Sequence, residues 1–339
     1  MTTGLVYDEA FLLHRAPYEH PENPGRLSAI WRRLTEDRLA DRCARVPARE
    51  ATRDELTAVH TPALVDLVDA TARHDFTQLD MDTYTCRDSA RAARLAAGGL
   101  VNLVLQVVSG RLTNGFALLR PPGHHAESNR AMGFCLFNNV AVAAEAARRS
   151  GIRRVAIVDW DLHHGNGTQH TFEEDPDVLY FSTHQYPFYP GTGATHEFGK
   201  GAGRGRIVNV AWPAGMGDAD YLAAFDRVLA PIARAFEPEL VLVSCGFDAA
   251  AGDPLGEMRV SPAGFGAMTQ RLSALAGGRL VLALEGGYNP GAIAAAAAAC
   301  TRVLLGEAPP PLDPDPPNAA SERVLREVVQ THRNFWPGL

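Results

Sequence analysis

Lysine is almost absent: Lys200 is the only one in 339 residues, and arginine carries nearly all the positive charge, a bias that fits a GC-rich coding sequence of bacterial type. The formal net charge is -7 with both signs interspersed, so there is no basic stripe to neutralise phosphates, and direct nucleic-acid binding is disfavoured. Cysteine is scarce as well. Cys43, Cys86, Cys135, Cys245 and Cys300 are odd in number and lack C-x-x-C spacing, which argues against a disulfide framework and a thiolate zinc site. Long apolar runs are missing too: Ala292–Ala299 is too short and too weakly apolar to span a bilayer. The opening Met1-Thr2-Thr3-Gly4 lacks the regions of a secretory signal, so the expectation is a soluble, cytoplasmic protein without a membrane partner.

What is present is 46% hydrophobic content, enough for a large core in one α/β domain, although length alone also allows two. Short β-rich runs at Phe116–Leu119, Val155–Val158, Val178–Phe181, Ile207–Val210, Leu240–Val243 and Leu280–Leu284 have the character of buried parallel strands. They alternate with helical segments predicted at Asn139–Arg149, Ala219–Phe236, Pro262–Ala276 and Pro290–Leu305; earlier helices are expected at Gly25–Leu34 and Asp88–Val108. Alternation of this kind builds a parallel sheet covered by helices. The division expected is a catalytic domain over 1–307, then over 308–339 a Pro-rich connector and an amphipathic terminal helix, Ser321–Arg333, that packs back with Phe335 and Trp336 buried.

Chemistry-bearing residues gather where strands end, the place where open α/β sheets bind ligands. Directly after Val155–Val158 come Asp159, Asp161, His163, His164 and Asn166. Alternate residues of an extended backbone point the same way, so Asp161 and His163 can converge on one ion, with Asp159 one step deeper. Oxygen and imidazole donors suit zinc, and a catalytic zinc needs only three protein ligands. Asp248, following Leu240–Val243, is the candidate third ligand, its alternative role being the start of a helix. His124 and His125 in Arg120-Pro121-Pro122-Gly123-His124-His125-Ala126-Glu127 can be ordinary loop residues, or a base and a charge holder beside the metal. In Leu284-Glu285-Gly286-Gly287-Tyr288-Asn289, the tyrosine is either a packing residue or a phenol donor to a developing oxyanion.

Taken together, R-P-P-G-H-H-A, G-F-C-x-F-N-N-V-A-V-A-A, D-W-D-L-H-H-G-N-G-T-Q, P-G-T-G, G-F-D-A-A-x-G-D-P-L-G and E-G-G-Y-N resemble the zinc-dependent histone deacetylase superfamily, from His20 to about Leu305. That superfamily includes acetylpolyamine amidohydrolases. The resemblance implies an arginase/deacetylase-like α/β fold with a central, mostly parallel sheet of about eight strands. It implies zinc on Asp161, His163 and Asp248, with His125 as general base and acid, His124 as electrostatic partner, Asp159 orienting His124, and Tyr288 polarising the scissile carbonyl. Asn166 stands where class I enzymes have the aspartate that partners the second histidine, which points to the class II branch and its bacterial relatives. Gly133, Phe134 and Tyr189 resemble the tunnel walls, with Tyr189 replacing the commoner phenylalanine. Arg26 is similar to an arginine that tethers the tyrosine loop, and Asp82 in the loop Leu79–Tyr84 aligns only loosely with a rim acid. A structural potassium ion near Asp159, Asp161, His163, Ser182 and Thr183 is also implied.

The activity implied is hydrolysis of an acetyl-lysine or other acyl-lysine amide in peptides or proteins, with small acylated amines such as acetylpolyamines as the alternative. The polyamine branch has a glutamate at the position of Leu255, which lines the tunnel mouth and offers a cation no attraction. An inactive acyl-binding module is a remote reading, because no ligand, histidine or tyrosine is missing. A binuclear manganese site is disfavoured, since Ala250 stands where a further acid is needed. Composition leaves a homo-oligomer open.

Overall fold

Burial of apolar strands on both faces organises the chain in its computed structural model, which describes residues 2–312 and 316–339. The first third holds β1 (Thr3–Val6), α1 (Pro24–Glu36), β2 (Ala44–Arg45), α2 (Arg53–Leu56), α3 (Pro62–Thr71), the hairpin β3 (Phe76–Gln78) and β4 (Tyr84–Cys86), and α4 (Ser89–Val108). Strands and helices then alternate through β5 (Asn114–Ala117), α5 (Asn139–Arg149), β6 (Val155–Asp159), α6 (Asn166–Phe172), β7 (Val178–Gln185) and β8 (Ile207–Trp212). After α7 (Asp218–Ala224) and α8 (Ala230–Phe236) come β9 (Leu240–Cys245), α9 (Pro262–Ser273), β10 (Leu280–Leu284), α10 (Pro290–Leu304) and α11 (Ala319–His332).

Eight strands form one sheet in the order β2-β1-β5-β10-β9-β6-β7-β8, and every pairing in it is parallel. The expected α/β architecture is therefore observed. The chain runs outward through β6, β7 and β8, then returns to insert β9 and β10 between β5 and β6. This brings the carboxyl ends of β5, β10, β9 and β6 side by side, although their sequences are far apart. β6, β9 and β10 are fully buried along their length, which is why they read as apolar runs.

Several boundaries differ from the sequence expectation for local reasons. The first strand of the alternating region starts at Asn114, two residues before the predicted Phe116, and ends at Ala117, before the predicted Leu119. β1 and β2 escape prediction because they are short and β1 contains Gly4, whose Cβ would come within 2.5 Å of Leu103. The single helix predicted over Ala219–Phe236 is interrupted at Phe225–Leu229 by a π turn, in which the Ala230 N–H bonds back to Phe225. Pro231 follows at once; it has no N–H to give and its ring crowds the preceding turn.

α4 is long and apolar enough to cross a membrane, but about 67% of its most apolar window is buried inside the fold, as in a core helix. At the other end, residues 313–315 of the expected connector lie outside the described residues. α11 contributes Leu325 and Val328 to the main core. Trp336 is buried and donates from Nε1 to the Gly205 carbonyl at 2.8 Å, whereas Phe335 is only half-buried.

Candidate active site

The four adjacent strand ends deliver the polar residues to one narrow cavity of about 90 Å³. β6 runs into Asp161 and His163, β9 into Asp248, β10 into Tyr288, and the loop after β5 carries the two adjacent histidines. His163 Nδ1 lies 3.2 Å from Asp161 Oδ1 and 3.1 Å from Asp248 Oδ2, and the three candidate ligand atoms all fall within 4.8 Å of one another. Two buried carboxylates around one imidazole form a concentration of negative charge that a divalent cation would neutralise. The backbone closes in around them. A Cβ on Gly246 would sit 1.9 Å from Asp161 Oδ2, and one on Gly286 would sit 2.2 Å from Asp248 Oδ2, so only glycine fits at either place. The donor set and this cradle fit zinc.

The two histidines stand beside this cluster with their rings 4.0 Å apart, in different electrical surroundings. His124 donates from Nδ1 to Asp159 Oδ2 at 3.0 Å; burial works against its charge, but Asp161 and Asp159 outweigh burial and push its pKa up to about 10. His125 is held well below the ordinary histidine value by burial and then by the neighbouring His124 and His163. The two imidazoles are thus driven in opposite directions, His124 toward the charged form and His125 toward the neutral one. Asp159 is fixed in turn by the Tyr180 hydroxyl, which donates to its Oδ2 at 3.0 Å.

Tyr288 faces the cavity, and burial followed by the fields of Asp248 and Asp161 keeps its phenol protonated, against the opposing pull of Arg26. Phe134 and Tyr189 line the approach. Tyr189 stands edge-on to His125 and His163, with ring centroids 5.2 and 6.0 Å away, while the preceding Phe188 backs His163 at 5.6 Å. Gly133 and Phe134 both take left-handed backbone, and a Cβ at Gly133 would come within 2.4 Å of the His125 ring. The Gly133 N–H donates to Asp82 Oδ1 at 3.2 Å, which brings Asp82 to the mouth beside Leu255. Ser182 pairs in register with Asp159 across β6 and β7, and Thr183 Oγ1 reaches the Asp159 carbonyl at 3.5 Å. All twelve candidate residues therefore come together: eight line one cavity, and Asp161 and Asp248 beside His163, Asp159 and Asn166 beside the two histidines, stand directly behind it.

Sequence reasoning did not single out the buried residues that hold these loops. Glu285 Oε2 accepts the N–H groups of Gly123 and His124 at 2.6 and 3.2 Å, and burial raises its carboxyl to about 7. Asp253 accepts from Tyr288 N at 2.6 Å and from Leu255 N at 3.0 Å, joining the tyrosine loop to the cavity rim. Glu22, held well below the usual carboxylate range by Arg120 and Arg26 against the cost of burial, binds both guanidinium groups. The available signal was that Glu285 and Asp253 stand inside the motifs themselves, Glu285 three residues before Tyr288 and Asp253 two before Leu255.

A family model described as histone deacetylase domain matches residues 20–304. Histone deacetylase 15 of Arabidopsis thaliana is 49% identical over 351 residues, covering 100% of this chain and 63% of that protein. Histone deacetylase 7 of Homo sapiens is 45% identical over 377 residues, covering 99% of this chain and 40% of that protein. The chain thus spans less than two thirds of the length of these curated relatives. Among solved structures, the crystal structure of the HDA15 HD domain superposes with a TM-score of 0.96 at 48% identity, covering 100% of this chain and 98% of that one. The relatives named here are from a plant and an animal, so they lend nothing to the bacterial origin expected from composition.

Proposed function

The chain belongs to the histone deacetylase family, and from that premise we propose that it hydrolyses the amide of acyl-lysine side chains in a zinc-dependent reaction. The observation that carries the reading is the placing of His124 and His125, with rings 4.0 Å apart, beside the Asp161, His163 and Asp248 cluster at a narrow cavity. Asp161, His163 and Asp248 would hold the zinc, which when bound would supply Lewis acidity toward the amide carbonyl and make a water easier to deprotonate.

The chain's own groups do the rest. His125 accepts a proton from the attacking water at Nε2, because its Nδ1 is occupied by Asn166 at 2.8 Å. His124 stays charged and offsets negative charge as it develops. The Tyr288 hydroxyl donates to the carbonyl oxygen, which gains charge as water adds. His125 then passes the proton to the departing nitrogen, leaving a free amine and acetate or a longer carboxylate. Phe134 and Tyr189 exclude water from an extended aliphatic chain between them. Acetyl-lysine in peptides or proteins is the substrate class that fits, and a structural potassium ion beside Asp159 and Ser182 is part of the same reading.

The test offers acetyl-lysine peptides, longer acyl-lysine peptides and acetylated polyamines to one preparation whose metal content is measured. Acyl-lysine hydrolysis that scales with zinc content is expected. Hydrolysis of none of these amides by zinc-replete protein would overturn the proposal.

A further inference from the structure

A line of hydrogen bonds runs from the cavity to the surface through Glu127. His125 Nδ1 meets Asn166 Oδ1 at 2.8 Å, and Asn166 Nδ2 donates to Glu127 Oε1 at 2.5 Å. The Glu127 carboxylate in turn meets His170 Nδ1 at 2.9 and 3.1 Å, and His170 is part-exposed. The Glu127 backbone is also pinned: its N–H donates to the Arg130 carbonyl at 2.9 Å, and its carbonyl faces His60 Nδ1 at 2.9 Å.

The direction of this line is dictated from its outer end. An ionised carboxylate can only accept, so Asn166 must turn its amino group toward Glu127 and its amide oxygen toward His125. An amide oxygen can also only accept. His125 therefore carries its ring proton on Nδ1 and leaves Nε2 free for a proton from water. The other contacts of Asn166 Nδ2 are weak, at 3.3 Å to the His125 carbonyl and 3.5 Å to Met132 Sδ. Without Glu127, little would stop the side-chain amide from rotating by half a turn. Its amino group would then face His125 Nδ1 and favour the tautomer with the proton on Nε2, which cannot act as the base.

We propose that Glu127 is a positioning residue of the reaction: it fixes the amide orientation of Asn166 and thereby the tautomer of His125. The inference rests on the reading of His125 as general base. It gives a physical reason for an asparagine next to that histidine. The negative charge stands one residue further back, on Glu127, where His170 balances it near the surface, and a second carboxylate at position 166 would lie against the first.

The test uses zinc-loaded full-length variants on an acetyl-lysine peptide. Glu127→Ala lowers kcat by roughly 10- to 100-fold, the usual effect of losing such an outer partner, with KM and metal content unchanged. Glu127→Gln, whose amide oxygen still accepts from Asn166, recovers most of the turnover. Asn166→Asp alone brings two carboxylates together and lowers kcat; adding Glu127→Gln to it restores activity, because the glutamine amide then donates inward. This pair carries the test if Glu127→Ala does not fold. Native turnover in Glu127→Ala, a Gln variant as impaired as the Ala variant, or a double variant worse than Asn166→Asp alone would each overturn the proposal. If Glu127→Ala is unaffected while His125→Ala is inactive, the functional reading survives without it; turnover retained in His125→Ala removes both.

Discussion

Arg26 lies under Tyr288, with its guanidinium carbon 4.8 Å from the ring centroid, and it donates to the carbonyls of Glu285 and Gly287 on the same loop. One buried cation thus holds the ring from below and the loop on both sides, while Glu22 holds the cation. Arg26→Met should cost about 3 kcal/mol of stability, since it removes one partner of a buried charge network. It should also lower kcat more than KM. Thermal unfolding and steady-state kinetics on the same preparation check this; unchanged kcat would mean that the tyrosine loop holds itself.

Metal removal gives a second expectation. Asp161→Ala or Asp248→Ala should abolish stoichiometric zinc, because a three-ligand site does not tolerate the loss of one, whereas native protein should bind about one zinc per chain. A strong chelator should inactivate native protein and added zinc should restore it. Full metal occupancy with full activity in either variant would refute the ligand assignment.

Tyr288→Phe and His125→Ala separate chemistry from folding. Each should keep zinc content and melting temperature close to native while lowering turnover by about 100-fold or more, through loss of an oxyanion donor and of the base respectively. Near-native kcat on acetyl-lysine peptide in either variant removes that residue from the mechanism.

Leu255 governs substrate choice in this reading. It lines the cavity mouth and brings no charge there. Acetyl-lysine peptides should be used with higher kcat/KM than acetylspermidine, and Leu255→Glu should move the ratio toward the polyamine by about 1 kcal/mol or more in transition-state preference. A native preference for acetylspermidine would reverse the assignment. A variant that only loses stability would mean that Leu255 merely packs on its loop.

Acid stability follows from three histidines buried in the neutral form. Burial lowers His60, His184 and His332 from 6.5 to about 4, and among the described residues neither ring nitrogen of His332 has a hydrogen-bond partner. The unfolded chain takes up these protons near pH 6.5 and the folded chain only near pH 4. Their contribution is therefore complete above pH 6.5 and lost as pH falls toward 4, by about 2 kcal/mol per histidine at pH 5. His332→Leu should flatten the dependence of melting temperature on pH between 7 and 5; an unchanged slope would show that His332 does not take part.

The central fold was legible because β6, β9 and β10 are buried on both faces and carry unbroken apolar runs. The spacing of Asp161 and His163 was legible from strand geometry alone. Their meeting with Asp248 depends on β9 lying next to β6, which no local pattern encodes. The supporting pairs were harder still: Arg120 meets Glu22 across 98 residues, and His170 meets Glu127 across 43. Each of these residues could equally have been an unpaired surface charge, and only the folded chain brings the partners together.

The late insertion of β9 and β10 also sets an order of events for a growing chain. Every neighbour pair at the centre of the sheet involves one of these two strands, and they bring Asp248 and Tyr288 with them. A nascent polypeptide that has emerged only as far as β8 carries Asp161, His163 and both adjacent histidines but has a gap in the middle of its sheet. It can neither close the core nor assemble the three-ligand set. Metal capture by these three residues would thus be coupled to the last, long-range step of folding, the kind that is slow for parallel sheets. Half-made chains, lacking Asp248, would hold a divalent cation at Asp161 and His163 only weakly.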